Sequence, residues 1–353
     1  MDATKMMDSG APTRWTGRAA GLVSLAALAA AYLVVRSKTM QVERENPPAG
    51  KFVDVGGVRL HYVEQGQGAA LVLLHGNATM AEDFRLSGLY GQLARNFRVI
   101  AFDRPGFGYS ERPRGTIWTP QAQAKLLGQA LQRLGAEEYL VLGHSMGTQV
   151  ALAMALEAPD RVRGLLLLAG YYYPSLRLDV PMAALPAIPL LGDLMRFTVS
   201  PLFGRLAWPA AIKQAFSPNR VAASFRRLPA WMSLRPSQLR ATAAEAALMV
   251  PSALALRKRY PELRMPVAIL AGEGDKVVNT EDNSVRLHRE LPRSALRLFP
   301  QTGHMMQHLV QDDIAEEANR LAGVAGMVAA DLAGNAAQAQ ESRDAAIPAG
   351  APA

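Results

Sequence analysis

Residues 143–147 read Gly-His-Ser-Met-Gly and join an apolar run to an alanine-rich helical pattern. A serine between a strand and a helix stands in a sharp turn, which exposes its hydroxyl near the positive end of the helix. Glycine suits both flanking positions because side chains there would clash with the adjoining strand and helix. The pentapeptide also fits a plain turn, but Ser145 becomes the candidate nucleophile if a base and an acid lie nearby.

The base and the acid that such a serine needs come from a small set of residues. The six histidines of the chain are His61, His75, His144, His288, His304 and His308. His304 follows the last apolar run, in QTGHMMQH, and Asp275 follows the preceding run, in AGEGDKVV. Because the carboxyl ends of parallel strands meet at one edge of a sheet, both residues are expected beside Ser145. The order Ser145, Asp275, His304 predicts a nucleophile, an orienting acid and a general base.

Two neighbouring residues compete for the roles of acid and base. Glu273 lies two residues before Asp275 and is the alternative acid. His308 follows His304 at a spacing of four, but the glutamate of a zinc-binding H-E-x-x-H helix is missing. His308 is therefore interpreted as a helix-face residue, and no metal site is predicted.

An ester-cleaving serine also needs donors for the oxyanion that forms during the reaction. The backbone N–H of Met146, directly after the serine, is one candidate, and Asn77, in the loop after ALVLLHG, supplies the other. Tyr171 and Tyr172 follow the end of an apolar run, so they are candidates for lining a substrate pocket. Plain packing is an equally good interpretation of these two tyrosines.

The elements that must position these residues are short apolar runs alternating with helical patterns. A Gly-Gly turn within residues 51–66 predicts a β-hairpin. Further strands are predicted at 70–76, 97–103, 139–145, 163–170, 266–275 and 295–300, with helices at 81–95 and 120–135. The runs are rich in Leu, Val and Ile rather than alternating in polarity, which indicates a mostly parallel sheet buried on both faces.

Composition limits the possible classes of protein. The 353 residues contain no cysteine, which excludes disulfides, thiolate metal sites and a cysteine nucleophile. The net charge is +8, and residues 171–264 account for the excess of basic over acidic side chains. A basic segment can contact nucleic acid or an anionic membrane, but the chain shows no nucleic-acid-binding motif. We therefore expect no nucleic-acid partner.

The N-terminal region carries an uncharged stretch at residues 19–35, AAGLVSLAALAAAYLVV, with Arg14 and Arg18 before it and Arg36 and Lys38 after it. As a helix it would reach about 25 Å, near the lower limit for crossing a bilayer. A single uncleaved membrane anchor is the prediction. A cleaved signal peptide, which implies a secreted or periplasmic protein, and a peripheral helix are the alternatives.

The positions of the apolar runs divide the chain into five predicted parts. The gap of about ninety residues between two strands is too long for a structureless loop, so it predicts an inserted helical subdomain. The predicted parts are an anchor or signal segment with a linker from residue 36 (1–50), a first core part (51–170), a helical cap (171–264), a second core part (265–322) and a disordered alanine-rich tail (323–353).

Five motifs between residues 51 and 322 together resemble the α/β-hydrolase fold family, in its cap-containing esterase and lipase branch. They are LLHGN (73–77), DRPGFGYSERP (103–113), GHSMG (143–147), GEGD (272–275) and TGH (302–304). The resemblance implies an α/β-hydrolase fold, with a mostly parallel central sheet flanked by helices and an inserted helical cap. It also implies a triad of Ser145, Asp275 and His304. HGN is similar to the oxyanion loop of haloalkane dehalogenases, but those enzymes and epoxide hydrolases use an aspartate where this chain has Ser145.

The resemblance implies a serine hydrolase of carboxylic esters that needs no cofactor. The Leu- and Met-rich cap and the apolar N-terminal stretch favour an apolar or lipid-like substrate, with the membrane contacted through Ala19–Val35 and the basic cap. The alternatives that keep the triad are a C–C bond hydrolase, an acyltransferase and a perhydrolase, since fold and triad do not fix the substrate. A membrane-tethered scaffold without activity is the alternative of another class.

Overall fold

The structure is a computed structural model that describes residues 13–175 and 180–327. Its centre is an eight-stranded sheet with the order β1-β2-β4-β3-β5-β6-β7-β8. The strands are β1 (Lys51–Val55), β2 (Val58–Gln65), β3 (Ala70–Leu74), β4 (Arg98–Phe102), β5 (Tyr139–His144), β6 (Val162–Leu168), β7 (Val267–Gly272) and β8 (Ser294–Phe299). β2 pairs antiparallel with β1 and β4, and the other five strand pairs are parallel.

Both faces of the sheet are buried, as the apolar runs predicted. Every residue of β3, β5 and β7 is buried. Successive side chains of a strand point to opposite faces, so Val72 and Leu74 join one core while Leu71 and Leu73 join the other. The predicted fold class, a mostly parallel sheet flanked by helices, is confirmed.

Helices cover the two faces of the sheet. They are α2 (Glu82–Ser87), α3 (Leu89–Leu93), α4 (Pro120–Arg133), α5 (Met146–Glu157), α11 (Arg286–Glu290) and α12 (Gln311–Val324). The single helix predicted over 81–95 is two short helices instead. Gly88 separates them because its backbone is left-handed, with φ 91°, and this conformation ends α2.

A helical segment lies between β6 and β7, and we call its residues 180–257 the cap segment. It contains α6 (Val180–Ala184), α7 (Leu191–Phe197), α8 (Val199–Phe216), α9 (Ala230–Ser233) and α10 (Pro236–Arg257). Residues 176–179, within the cap range predicted from the sequence, lie outside the described residues. The exact domain limits therefore stay predictions.

The N-terminal helix α1 runs over Thr13–Glu45, well past the apolar stretch. Residues 36–45, predicted as linker, are helical because they contain neither Pro nor Gly and because Val42 is buried against the body of the protein. By length and hydropathy α1 and α10 are both able to cross a membrane, and only 6% of the apolar part of α1 is buried inside the protein. Most of the predicted tail, from residue 328 onward, and residues 1–12 lie outside the described residues.

Candidate active site

Ser145 stands in a strained turn between β5 and α5. Its backbone adopts φ 52° and ψ −121°, a conformation that is rare for residues other than glycine. The two flanking glycines make the turn possible. A Cβ on Gly143 would lie 2.7 Å from the carbonyl oxygen of Gly147, and a Cβ on Gly147 would collide with the carbonyl oxygens of Leu74 and His75. The turn therefore holds the serine at the carboxyl edge of the sheet.

Asp275 and His304 form a hydrogen-bonded pair at the same edge. Nδ1 of His304 lies 2.7 Å from Oδ2 of Asp275, and both side chains are almost fully buried. The other carboxylate oxygen accepts the backbone N–H groups of Val277 and Val278 at 2.7 and 3.0 Å. Burial alone would raise the pKa of Asp275, but the charge and hydrogen bond of His304 and these two N–H groups hold it below its ordinary value. The carboxylate is thus kept ionised against the imidazole.

The loop that carries His304 is tied to the serine turn through His144. Nε2 of His144 lies 3.0 Å from the carbonyl oxygen of His304, and the two imidazole rings are 5.0 Å apart between centroids. Burial and the neighbouring His304 lower the pKa of His144 to about 4, so its ring is neutral at physiological pH. Because Nδ1 of His304 is engaged by Asp275, Nε2 is the ring nitrogen left for the role of base that the sequence predicts.

The loop of Asn77 and the start of α5, which carry the two predicted oxyanion donors, both adjoin Ser145. A Cβ on Gly76 would lie 3.1 Å from Cβ of Ser145, so the loop that contains Asn77 packs directly against the nucleophile. Met146, directly after Ser145, is the first residue of α5. Within the described residues, neither the N–H of Asn77 nor that of Met146 donates a hydrogen bond to another protein group. Both donors are therefore free for a bound anion.

A buried ion pair that the sequence analysis did not identify holds the loop of His75, Gly76 and Asn77, which we call the oxyanion loop after its predicted role. The Arg104 guanidinium binds the Glu245 carboxylate through two hydrogen bonds of 2.5 and 2.9 Å, and both side chains are almost fully buried. The same guanidinium donates to the carbonyl oxygens of His75, at 2.8 Å, and Gly76, at 3.1 Å. Gln123 donates to the Glu245 carboxylate at 2.9 Å. Arg104 thus fixes the loop backbone directly before Asn77.

The oxyanion loop is also bonded directly to α10. Nδ2 of Asn77 donates to the carbonyl oxygen of Thr242 at 3.1 Å. Glu245 belongs to the same helix, one turn further along. The signal in the sequence was that Glu245 is the only carboxylate between residues 194 and 261, placed in an apolar, alanine-rich helix. A lone acid in such a helix predicts a buried partner, although it does not say which residue that partner is.

Two further Asp–His pairs are buried in the described residues, and neither includes a residue of the predicted triad. His61 binds Asp103 at 2.7 Å, and Asp103 also accepts the backbone N–H groups of Ala81 and Tyr109, so this aspartate fixes a loop. His308 lies 2.8 Å from Asp83. It sits in a short 3-10 turn, fully surrounded by protein, rather than on the face of a helix. Each pair is a structural contact within the fold.

The two candidate substrate-lining tyrosines have different surroundings. Tyr171 packs in a cluster with Met146, Met249 and Val278, and it lines a cavity of about 430 Å³ beside the Asp275 loop. Tyr172 is fully buried in the main core, so the structure does not bring it to this cavity. Of the two tyrosines, only Tyr171 lines this cavity, and a substrate contact by either one stays a prediction.

The chain is similar to known hydrolases over most of its length. The family model of the α/β hydrolase fold matches residues 69–309. Haloalkane dehalogenase 2 of Mycobacterium tuberculosis is 29% identical over 279 residues, which cover 76% of this chain and 93% of the dehalogenase. The 2-hydroxy-6-oxo-2,4-heptadienoate hydrolase of Pseudomonas putida is 27% identical over 292 residues, which cover 77% of this chain and 98% of that enzyme.

A solved structure extends the likeness to the fold as a whole. A bacterial membrane phospholipase A, described as a virulence factor, is 23% identical, with a TM-score of 0.60. The match covers 88% of this chain and 99% of the phospholipase. Because the family model matches more than half of the chain, the protein belongs to the α/β hydrolase fold family. It is a hydrolase of that fold.

Proposed function

We propose that the protein hydrolyses carboxylic esters through an acyl-enzyme on Ser145. The observation that carries this proposal is the Asp275–His304 pair, hydrogen-bonded at 2.7 Å at the sheet edge where Ser145 stands in its strained turn. A serine in that turn, rather than the aspartate of dehalogenases, favours acyl transfer. The unpartnered N–H groups of Asn77 and Met146 supply the oxyanion donors that acyl transfer needs.

The reaction proceeds in two steps. Ser145 Oγ attacks the ester carbonyl while Nε2 of His304 takes its proton, and Asp275 stabilises the resulting imidazolium. His304 then gives the proton to the alkoxide, so that the alcohol leaves and an acyl-enzyme remains. In the second step His304 takes a proton from water while the water oxygen attacks the acyl carbon. His304 then returns that proton to Oγ of Ser145 as the acyl–Oγ bond breaks, and the carboxylic acid leaves with Ser145 restored.

The first test uses a fluorophosphonate, which reacts with an activated serine whatever the natural substrate is. We expect intact mass spectrometry to show one adduct on the wild-type protein and none on Ser145→Ala. An ester series of increasing acyl length then defines the substrate. If the folded wild-type protein takes up no adduct, the proposal fails and the non-catalytic scaffold is favoured.

A lipid-like ester is the substrate class that the surroundings of the site favour. Met146, directly after Ser145, packs with Tyr171, Met249 and Val278 in an apolar cluster. The cavity beside Asp275 also carries polar and charged side chains, such as Lys276 and Asp282, so the apolar support comes from the cluster and not from that cavity. The apolar helix α1 supports a membrane location, with α1 acting as an uncleaved anchor. The likeness to a structure titled membrane phospholipase A is consistent with this reading.

Removal of residues 1–31 tests the lipid part of the proposal. The truncation stops before Tyr32, whose ring contacts Phe197, and before Val35, which is buried, so the docked part of α1 is kept. We expect hydrolysis of long-chain esters in vesicles to fall while hydrolysis of a soluble short-chain ester stays at the wild-type rate. An unchanged ratio of the two rates would contradict the lipid proposal.

Hydrolysis of a C–C bond is the second candidate function. The relative from Pseudomonas putida, 27% identical over 98% of its length, is named as a hydrolase of a 2-hydroxy-6-oxo-dienoate. A panel that contains such a dienoate beside the esters distinguishes the two functions. Turnover of the dienoate without turnover of any ester would favour C–C hydrolysis by the same serine.

A further inference from the structure

The exposed large hydrophobic side chains of the described residues are concentrated in two segments. One is α1, and the other is a stretch of the cap segment that we call the cap face. Its members are Met182, Ile188, Leu190, Leu191, Leu194, Phe197, Val199, Phe203 and Leu206. Elsewhere the described residues add only Ile117, Leu254 and Val324. Soluble monomers rarely leave so many large apolar side chains exposed in one region.

The cap face lies beside the point where α1 leaves the body of the protein. The ring centroids of Tyr32 and Phe197 are 6.4 Å apart. From there toward its carboxyl end α1 is docked, because Val35 is fully buried and Glu43 forms a 3.0 Å ion pair with Arg235. Residues 19–34, on the other side of that point, are almost all exposed. The exposed apolar half of α1 and the cap face are therefore neighbours.

Few charges interrupt the cap face. Between residues 180 and 212 the charged side chains are Asp193, Arg196 and Arg205. Asp193 is bonded to both Arg114 and Arg196, so these charges largely neutralise each other. The basic residues of the cap segment are otherwise concentrated after residue 212. An almost uncharged surface of this kind suits contact with hydrocarbon rather than with water.

We infer that the cap face is a lipid-binding surface, seated in the apolar layer of the bilayer beside α1. This inference rests on the anchor role proposed above for α1. Lipid is favoured as the occupant because residues 19–34 are apolar all round and exposed, as expected of a helix surrounded by hydrocarbon. Arg205 and Lys213, both exposed on α8, supply basic side chains that can meet anionic headgroups.

The same helix that carries part of the cap face reaches the candidate active site. Phe203 and Leu206 lie in the first half of α8. At its other end the carbonyl oxygen of Ala215 accepts the backbone N–H of His304 at 3.1 Å, and Gln214 lines the cavity beside Asp275. Helix α8 thus runs from the lipid surface to the catalytic base, over about 27 Å for its 18 residues. A lipid ester leaving the bilayer at the cap face enters beside this helix.

The absence of cysteine makes site-specific labelling direct. The experiment uses four single-cysteine variants of the full chain: Leu190→Cys, Leu206→Cys, Leu25→Cys and Val324→Cys. Each variant is labelled with a nitroxide at its cysteine and placed in vesicles of phosphatidylcholine and phosphatidylglycerol. All four positions are exposed, at 84%, 82%, 66% and 63%. Val324 is the matched control because it ends α12, far along the chain from the cap and near the amino end of β6. The measurement is the collision rate of each label with oxygen and with a water-soluble nickel chelate.

We expect the ratio of oxygen to nickel collisions to be several-fold higher at residues 190, 206 and 25 than at 324. If residue 25 lies in lipid while 190 and 206 match the control, the inference is overturned although the anchor holds. If residue 25 also matches the control, the anchor proposal fails together with the inference. If 190 and 206 are shielded from both reagents and their spectra broaden at high protein density, a second copy covers the face, which also overturns the inference. None of these readouts depends on ester hydrolysis, so failure of the proposed activity is a separate result.

Discussion

At the scale of single residues, the structure separates two acids that the sequence placed side by side. Asp275 is buried against His304 and accepts two backbone N–H groups with its second oxygen. Glu273, two residues earlier, is exposed. The turn after β7 therefore aims only one of the two carboxylates at the imidazole. The charge that would stabilise an imidazolium comes from Asp275.

Asp275→Asn tests this assignment. An amide can still hydrogen-bond to the ring, but it stabilises the wrong tautomer and supplies no negative charge, so we expect turnover to fall on the order of 10⁴-fold. The rate of inactivation by a fluorophosphonate measures the effect without a known substrate. Glu273→Gln is the matched control and is expected to react at the wild-type rate. A large loss in the control, with none in Asp275→Asn, would exchange the roles of the two acids.

At the scale of elements, the cap segment is attached to both halves of the site. Helix α8 ends against the backbone of His304, and α10 binds the oxyanion loop through Thr242 and through Glu245. Burial opposes ionisation of Glu245, but the charge of Arg104 holds its pKa below the ordinary value. Movement of α10 away from the sheet would break a buried ion pair. The helices α8 and α10 are thus fixed supports of the site.

Glu245→Gln measures the strength of this support. The substitution leaves the guanidinium of Arg104 buried without its counter-charge. We expect this to lower the free energy of unfolding by about 3–5 kcal/mol. We also expect slower reaction with a fluorophosphonate, because Arg104 orients the His75 and Gly76 carbonyl groups. Glu262→Gln is the control, since its ion pair with Arg259 is exposed and worth about 0–1 kcal/mol. Equal losses in the two variants would contradict a supporting role for Glu245.

At the scale of the whole molecule, the sequence predicts features that neighbouring residues determine, and it does not predict features that depend on contacts between residues far apart in the chain. The strands and Ser145 were predictable because burial and turn chemistry are local, as in the fully apolar β5 and the glycines beside the serine. The continuation of α1 to Glu45 depends on burial of Val42 against distant residues. Arg104 and Glu245 lie 141 positions apart, so neither side of that pair identifies the other without the fold.

Buried histidines make the stability of the whole molecule depend on pH. Burial, together with Arg104, lowers the pKa of His75 to about 4, and burial lowers that of His144 to about 4, from an ordinary value of 6.5. As pH falls from 6.5 toward 4 the unfolded chain binds protons that the folded protein excludes, so the free energy of unfolding decreases. Each histidine contributes up to about 3 kcal/mol to this loss.

Chemical unfolding of the full chain in detergent, at a series of pH values, measures this loss. His144→Gln keeps an N–H donor near the carbonyl oxygen of His304 but does not titrate, so we expect a smaller loss of stability between pH 6.5 and 4 than in the wild-type protein. Aspartates with lowered pKa values, such as Asp83 and Asp103, begin to add their own loss only near pH 5, about one unit above their unfolded value of 3.8, so the interval from pH 6.5 to about 5 reports the histidines. A free energy of unfolding that stays constant in the wild-type protein between pH 6.5 and 4 would show that these imidazoles accept protons within the fold. That result would contradict the neutral forms that their hydrogen bonds require.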